Sequence, residues 1–240
     1  MAETVLVREQ RGAVLVLRLN RPDARNALSG ELVSELGVGL GAAEDDPEIR
    51  CVVLTGTGDR AFCAGMDLAD FAKGSGRQID PRGPAVFGRF MNGDLTIPVV
   101  GAANATAVAG GFELLLACDV VVASDEAKFG LPEVKRGLFA AGGGVFISNR
   151  IPLAIALELT LTGDPIEATR ALTLGLVNEV VPAGEVLEAA IRLGERIARN
   201  GPLALQATKQ MVRAAAVDFA AARALQAEWQ PKVFGSSDAK

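Results

Sequence analysis

The sequence predicts an α/β chain with a mixed strand and helix core over residues 1–185 and a helical region over 186–240. Three observations carry this. A coarse strand, strand, helix repeat runs to about residue 150. Helical spacing dominates after it. Half of the residues are apolar and 27 are glycine, a composition suited to much buried sheet and to an oligomer interface. The repeat lacks the strand-helix-strand alternation of a doubly wound sheet. No G-x-G-x-x-G joins a strand to a helix, no GK[ST] phosphate loop occurs, and the glycine run 142–144 is too generic to count as either.

Each element follows from its local pattern. Thr4 to Arg8 and Ala13 to Leu19 alternate or run apolar as strands do, with Arg11-Gly12 as the turn of a hairpin. Asn20 to Leu28 reads as a loop, after which Ser29 caps a helix bearing Leu32, Val33 and Leu36 at helical spacing. Acidic residues around Pro47 end that helix, and Cys51 to Leu54 forms a short buried strand. Thr55 to Met66 is a loop of small residues, and Asp67 caps a short helix from Leu68 to Lys73. Gly74 to Met91, rich in Gly, Pro and Arg, reads as a mobile surface loop.

Downstream lie a strand at Val120 to Ala123, the segments Ala127 to Leu131 and Pro132 to Val134, and a helix from Val145 to Arg150. Helices follow at Ala154 to Leu161, Glu167 to Leu174, Val186 to Arg199, Leu203 to Ala216 and Phe219 to Phe234, with a strand at Leu176 to Val181.

The stretch Pro98 to Asp119 organises the rest. Val99, Val100 and then Ala102 to Val108 read as a buried strand that runs into Gly110-Gly111, and Phe112 to Cys118 reads as the helix after it. One carboxylate, Glu113, sits in this apolar surround, where it is costly unless paired, hydrogen-bonded or protonated. The glycine pair either permits a tight turn, with Glu113 merely near the positive end of the helix, or leaves unpaired N–H groups open to an anion.

Composition narrows the function. A net charge of −5 with no basic cluster argues against nucleic acid. The charged N-terminus and the absence of a long apolar run argue against a signal peptide or a membrane span, so a cytoplasmic protein is expected. Cys51, Cys63 and Cys118 read as buried free thiols, not disulfides or metal ligands. With neither histidine nor tyrosine, a Ser-His-Asp triad and a histidine metal site are excluded, and acid or base chemistry falls to carboxylates or Lys. Asn104-Ala105-Thr106 is a glycosylation sequon by chance.

Five stretches in this order resemble the crotonase family, the enoyl-CoA hydratase/isomerase superfamily, over essentially the whole chain. They are Asn20-Arg21-Pro22 through Asn26-Ala27-Leu28, Ala61 through Leu68, Ala107 through Glu113 with Cys118-Asp119, Phe129 through Glu133, and Leu161 through Asp164. The resemblance implies a ββα spiral core and a C-terminal helical region that forms a homotrimer, or a hexamer of paired trimers. It implies an acyl-CoA thioester as substrate, with no separate cofactor because CoA is part of that substrate. It assigns Ala64 and Gly110 as N–H donors to the thioester oxygen, and Ala24, Arg25, Ala64, Asp67 and Leu68 to the CoA site. It makes Glu113 the activator of water and Glu133 the proton donor, with roles that two close carboxyls can share. Relatives also continue beyond the segment matching Gly235 to Lys240 into a further helix.

One departure bears on the reaction. Where hydratases of the family read G-x-x-P-G-x-G-G, this chain has Gly137-Leu138-Phe139-Ala140-Ala141-Gly142-Gly143. Three readings stand: a trans-2-enoyl-CoA hydratase, which the paired glutamates favour; an isomerase or specialised dehydratase working through the same enolate; and a silent acyl-CoA-binding protein.

Overall fold

The computed structural model describes residues 4–67, 70 and 80–239. Its centre is a six-stranded sheet. Strands β1 (Leu6–Arg11) and β2 (Val14–Leu19) form the expected antiparallel hairpin; β3 (Cys51–Gly56), β4 (Val99–Ala103), β6 (Val120–Ser124) and β9 (Glu179–Val181) then add in parallel, in the order β1-β2-β3-β4-β6-β9. A second, three-stranded sheet contains β5 (Ala107–Val108), β7 (Lys128–Gly130) and β8 (Ile166–Glu167). The chain steps from the large sheet to the small one twice, β4 to β5 and β6 to β7, which gives the repeat read from the sequence its physical form.

Alternation along the central strands divides the interior. Leu17, Leu19, Val52 and Leu54 face the larger core, beneath α1 (Gly30–Asp45) and α3 (Gly110–Ala117). Val14, Val16, Cys51 and Val53 face the other way, where α6 (Val186–Ala198) lays down Val186, Ala190 and Ile191. Helix α5 (Ala168–Thr173) flanks the small sheet, α4 (Leu153–Thr162) packs against the turns at 132–136 and 144–149, and α7 (Pro202–Ala215) and α8 (Phe219–Phe234) pack on each other.

Several expectations are met closely. Ser29 caps α1 by accepting the Leu32 N–H, and α8 has the bounds its sequence predicts. Others are corrected. The single strand expected from Ala102 to Val108 is two strands in different sheets. Asn104 makes the break: its Oδ1 accepts the Gly56 N–H at 3.1 Å and its Nδ2 donates to the Gly58 carbonyl at 2.7 Å, which bends the chain out of the large sheet.

The loop expected to run to Met91 is helical in its second half, as α2 (Arg82–Asn92). Gly37 of α1 lies so close to Gly83 that a Cβ would come within 1.8 Å of the Gly83 carbonyl oxygen, so glycines join these helices. The expected helix Leu68 to Lys73 and loop residues 74–79 lie outside the described residues, apart from Asp70. The helix expected at Val145 to Arg150 is a 3-10 turn over Gly144–Asn149.

Asp119 ties the C-terminal helices to the sheet. Its carboxylate accepts the Val99 N–H at 2.8 Å and pairs with Lys209 at 2.8 Å and Arg213 at 2.7 Å. Large apolar side chains stay exposed, among them Phe139, Phe146, Leu161, Val217, Phe219 and Phe234. Among the described residues, no helix is long and apolar enough to cross a membrane.

Glycine substitutions separate packing from propensity. A Cβ at Gly111 would stand 2.0 Å from the Cys63 carbonyl oxygen, whereas one on Gly88 of α2 meets nothing within 4 Å. Gly111→Ala is expected to destabilise the fold by more than about 3 kcal/mol, and Gly88→Ala to stabilise it by up to about 1 kcal/mol. Chemical denaturation of the two variants checks both; equal stabilities would refute the close approach.

Candidate active site

The site forms where the start of α3 meets the loop after β3. Ala109, just before the helix, takes φ 51° and ψ −133°, a conformation costly for any residue with a Cβ. Its N–H donates to the Gly130 carbonyl at 2.9 Å and its own carbonyl receives the Phe112 and Glu113 N–H groups. The chain thus turns sharply, and Gly111 wedges against Cys63. Gly65, at φ +93°, completes the contact, since a Cβ there would lie 2.8 Å from that of Ala109.

This wedge sets two donors side by side. The Met66 N is 3.6 Å from where a Cβ on Gly110 would project. Among the described residues, neither the Met66 nor the Gly110 N–H reaches a backbone acceptor. Ala64, which the sequence reading assigned as a donor, does not have a free N–H: it donates to the Arg25 carbonyl at 3.0 Å. The donor from this loop moves two residues on, to Met66, because Arg25 at φ 52° points its carbonyl at Ala64.

Of the remaining expected CoA-site residues, Ala24 and Arg25 belong to the loop that Ala64 pairs with, and Asp67 is tied to that loop. Ala24 ends a 3-10 turn over Pro22–Ala24 and is exposed, as is Arg25. Buried Asn26 fixes this loop by donating to the carbonyls of Thr57 and Ala61 at 3.0 and 2.9 Å and accepting the Arg21 N–H at 3.0 Å. Arg21 in turn pairs with Asp67 at 2.8 Å, so Asp67 holds the loop together. Leu68 lies outside the described residues.

Glu113 comes one turn into α3 and is 6% exposed. Its Oε1 accepts the Gly144 N–H at 2.8 Å. Burial raises its pKa above the usual carboxylate range, opposed by the N–H groups of Gly144 and Gly142. The glycine run that looked generic thus holds this carboxylate, a role that no local signal announced.

Glu133 sits in a 3-10 turn over Pro132–Arg136. Gly163 (φ +65°) packs against that turn, and Lys135 pairs with Asp164 at 2.6 Å, which accounts for the Leu161 to Asp164 stretch. Burial first, and the charge of Glu113 as well, raise the Glu133 pKa. Its Oε2 is buried without a partner; among the described residues only Thr57 Oγ1 shares that condition. An orphaned carboxyl oxygen close enough to feel a second carboxylate is a place for a polar ligand atom.

The family model for enoyl-CoA hydratase/isomerase matches residues 9–240. The chain belongs to the enoyl-CoA hydratase/isomerase family. It is 35% identical over 240 residues to the short-chain-enoyl-CoA hydratase of Clostridium acetobutylicum, covering 98% of this chain and 91% of that one. It is 40% identical over 205 residues to the carnitinyl-CoA dehydratase of Proteus mirabilis, covering 85% and 78%. A crystal structure of an enoyl-CoA hydratase from Mycobacterium tuberculosis superposes with a TM-score of 0.88 at 41% identity, covering 99% of this chain and 93% of that one. The crotonase fold expected from the sequence is therefore the fold of this family member.

Two outcomes test the site's electrostatics. A Cβ on Gly142 would lie 2.5 Å from Glu113 Oε2, so Gly142→Ala is expected to displace the carboxylate and lower turnover by about 10- to 100-fold. The thermal midpoint is expected to stay within a few degrees. The second outcome concerns pH. Both glutamates have folded pKa values raised above their unfolded ones, so the neutral carboxyls contribute stability that is complete below the ordinary carboxylate pKa and lost as pH rises through the folded value. Glu113→Gln is expected to raise the calorimetric midpoint at about pH 8 and by much less at about pH 4; an equal shift at both would contradict this sign.

Proposed function

We propose that this family member is an enoyl-CoA hydratase that adds water across the double bond of a trans-2-enoyl-CoA. The observation that carries the proposal is the unpartnered Glu133 oxygen within the field of Glu113, which rides on the helix whose start holds the open Gly110 N–H beside that of Met66. Attack at C3 drives negative charge onto the thioester oxygen, and fixed donors are worth most where charge develops. The Gly110 and Met66 N–H groups are the proposed donors, with Met66 in place of Ala64.

The two carboxyls divide the rest. Glu113, backed by the Gly144 and Gly142 N–H groups, is favoured as the ionised member and takes a proton from water. The hydroxyl oxygen bonds to C3, and the electron pair of the double bond moves to form the enolate of the thioester. Glu133, with burial and its neighbour's charge favouring the protonated form, delivers a proton to C2. No electrons leave the substrate, so no redox cofactor is needed, and CoA enters as part of the substrate.

Exposed Arg25 and the Ala64 paired with it support a CoA site at this loop, where the Arg25 side chain makes no hydrogen bond or ion pair among the described residues. The exposed apolar side chains support assembly as a trimer or hexamer, and the three buried free thiols support a cytoplasmic location.

The first experiment follows the enoyl-thioester absorbance over a panel of trans-2-enoyl-CoAs, with products weighed by mass spectrometry. Loss of the band with gain of one water is expected. Glu113→Gln and Glu133→Gln are each expected to lower kcat by more than about 100-fold with a modest change in KM. Wild-type turnover in either variant would overturn the assignment, and a product of unchanged mass would make the protein an isomerase.

A further inference from the structure

Beyond Glu113 the site opens into a cavity of about 590 Å³, in the size range of a ligand pocket. It lies between α2, α3, the 141–150 segment and the end of α7. Met91, Leu116 and Phe146 give it apolar walls suited to methylenes. Its other lining is charged. Arg150 and Arg213 both border it, with Asn149 beside them.

The charges there do not balance. Asp119 is already divided between Lys209, at 2.8 Å, and Arg213, whose Nε and Nη2 reach Oδ1 at 3.0 and 2.7 Å. Arg213 also donates to the Ala117 carbonyl at 2.8 Å. Arg150 is different. Among the described residues its side chain makes no hydrogen bond or ion pair, and Asp119 is the carboxylate whose field reaches it. It keeps an open face, yet protein crowds it enough that burial, and Arg213 after it, lower its pKa. Three cations share Asp119, and Glu113, the carboxylate that lines the cavity itself, is not among the charges that act on Arg150. This leaves a guanidinium in the cavity lining without a hydrogen-bonded partner among the described residues.

We propose that this cavity receives the distal end of the acyl chain and that Arg150 selects chains ending in a carboxylate over uncharged or cationic ones. The inference rests on the hydratase reading, because it takes C3 to lie at Glu113 and CoA to lie toward Arg25. The chain beyond C3 then runs along the apolar wall until its end meets Arg150. A bidentate guanidinium–carboxylate contact with few competing partners discriminates strongly against a tail that leaves the cation unpaired.

The test compares kcat/KM for trans-2-hexenedioyl-CoA, trans-2-hexenoyl-CoA and an enoyl-CoA ending in trimethylammonium, with wild type and Arg150→Gln. Calorimetric Kd values for adipoyl-CoA, hexanoyl-CoA and free CoA are measured in parallel. Wild type is expected to favour the carboxylated substrate over the uncharged one by more than about tenfold, and the cationic one least. Arg150→Gln is expected to remove most of that preference, and Arg150→Lys to restore part of it. Equal kcat/KM for the first two substrates overturns the proposal, as does the same proportional loss on both in Arg150→Gln. Weakened binding of free CoA in Arg150→Gln overturns it too, since Arg150 would then serve a CoA phosphate. A Kd preference for adipoyl-CoA without turnover of any enoyl-CoA upholds it and sinks the hydratase reading alone.

Discussion

The site depends on one steric contact, the absence of a side chain at Gly111 where the start of α3 meets the Cys63 carbonyl. If the helix stood off by the width of a methyl group, the Gly110 N–H would no longer lie beside that of Met66. The strained turn at Ala109 and the left-handed Gly65 are the backbone's accommodation of this approach. Glu113 rides on the same helix, one turn later, so the geometry of donors and carboxylate is fixed by a single wedge.

The sequence made the frame legible because local rules governed it. The hairpin, the Ser29 cap and α8 follow from alternation, capping and helical spacing within one segment. Asn104 escaped because an Asn in an apolar run gives no sign that its amide will bridge to Gly56 and Gly58, which are remote in the chain. Helix α2 was hidden by Gly83 and Pro84, although Val86, Phe87, Phe90 and Met91 carry a helical stripe. Glycine there permits the contact with Gly37, a tertiary reason that overrides propensity.

The site was legible in its residue types and less so in its wiring. Glu113 and Glu133 could be picked out as carboxyls in revealing surroundings and by resemblance. Which N–H of the Ala64 to Asp67 loop stays open could not be read, because it turns on the left-handed backbone of Arg25, set by Asn26 buried beneath it. The backing of Glu113 by residues 142–144 was hidden for the same kind of reason: it is made by main-chain N–H groups, which leave no trace in residue identity.

The Asp119 clamp has a consequence for how the protein is made. Its carboxylate anchors the start of β4, yet its guanidinium partner Arg213 lies 94 residues further along the chain. At the usual pace of a ribosome, of order 5–20 residues per second, about 5–20 s separate the synthesis of the two. Through that interval Asp119 lacks both of the cations that pair with it in the folded chain, Lys209 and Arg213. The link between the start of β4 and the C-terminal helices is therefore among the last that synthesis makes possible.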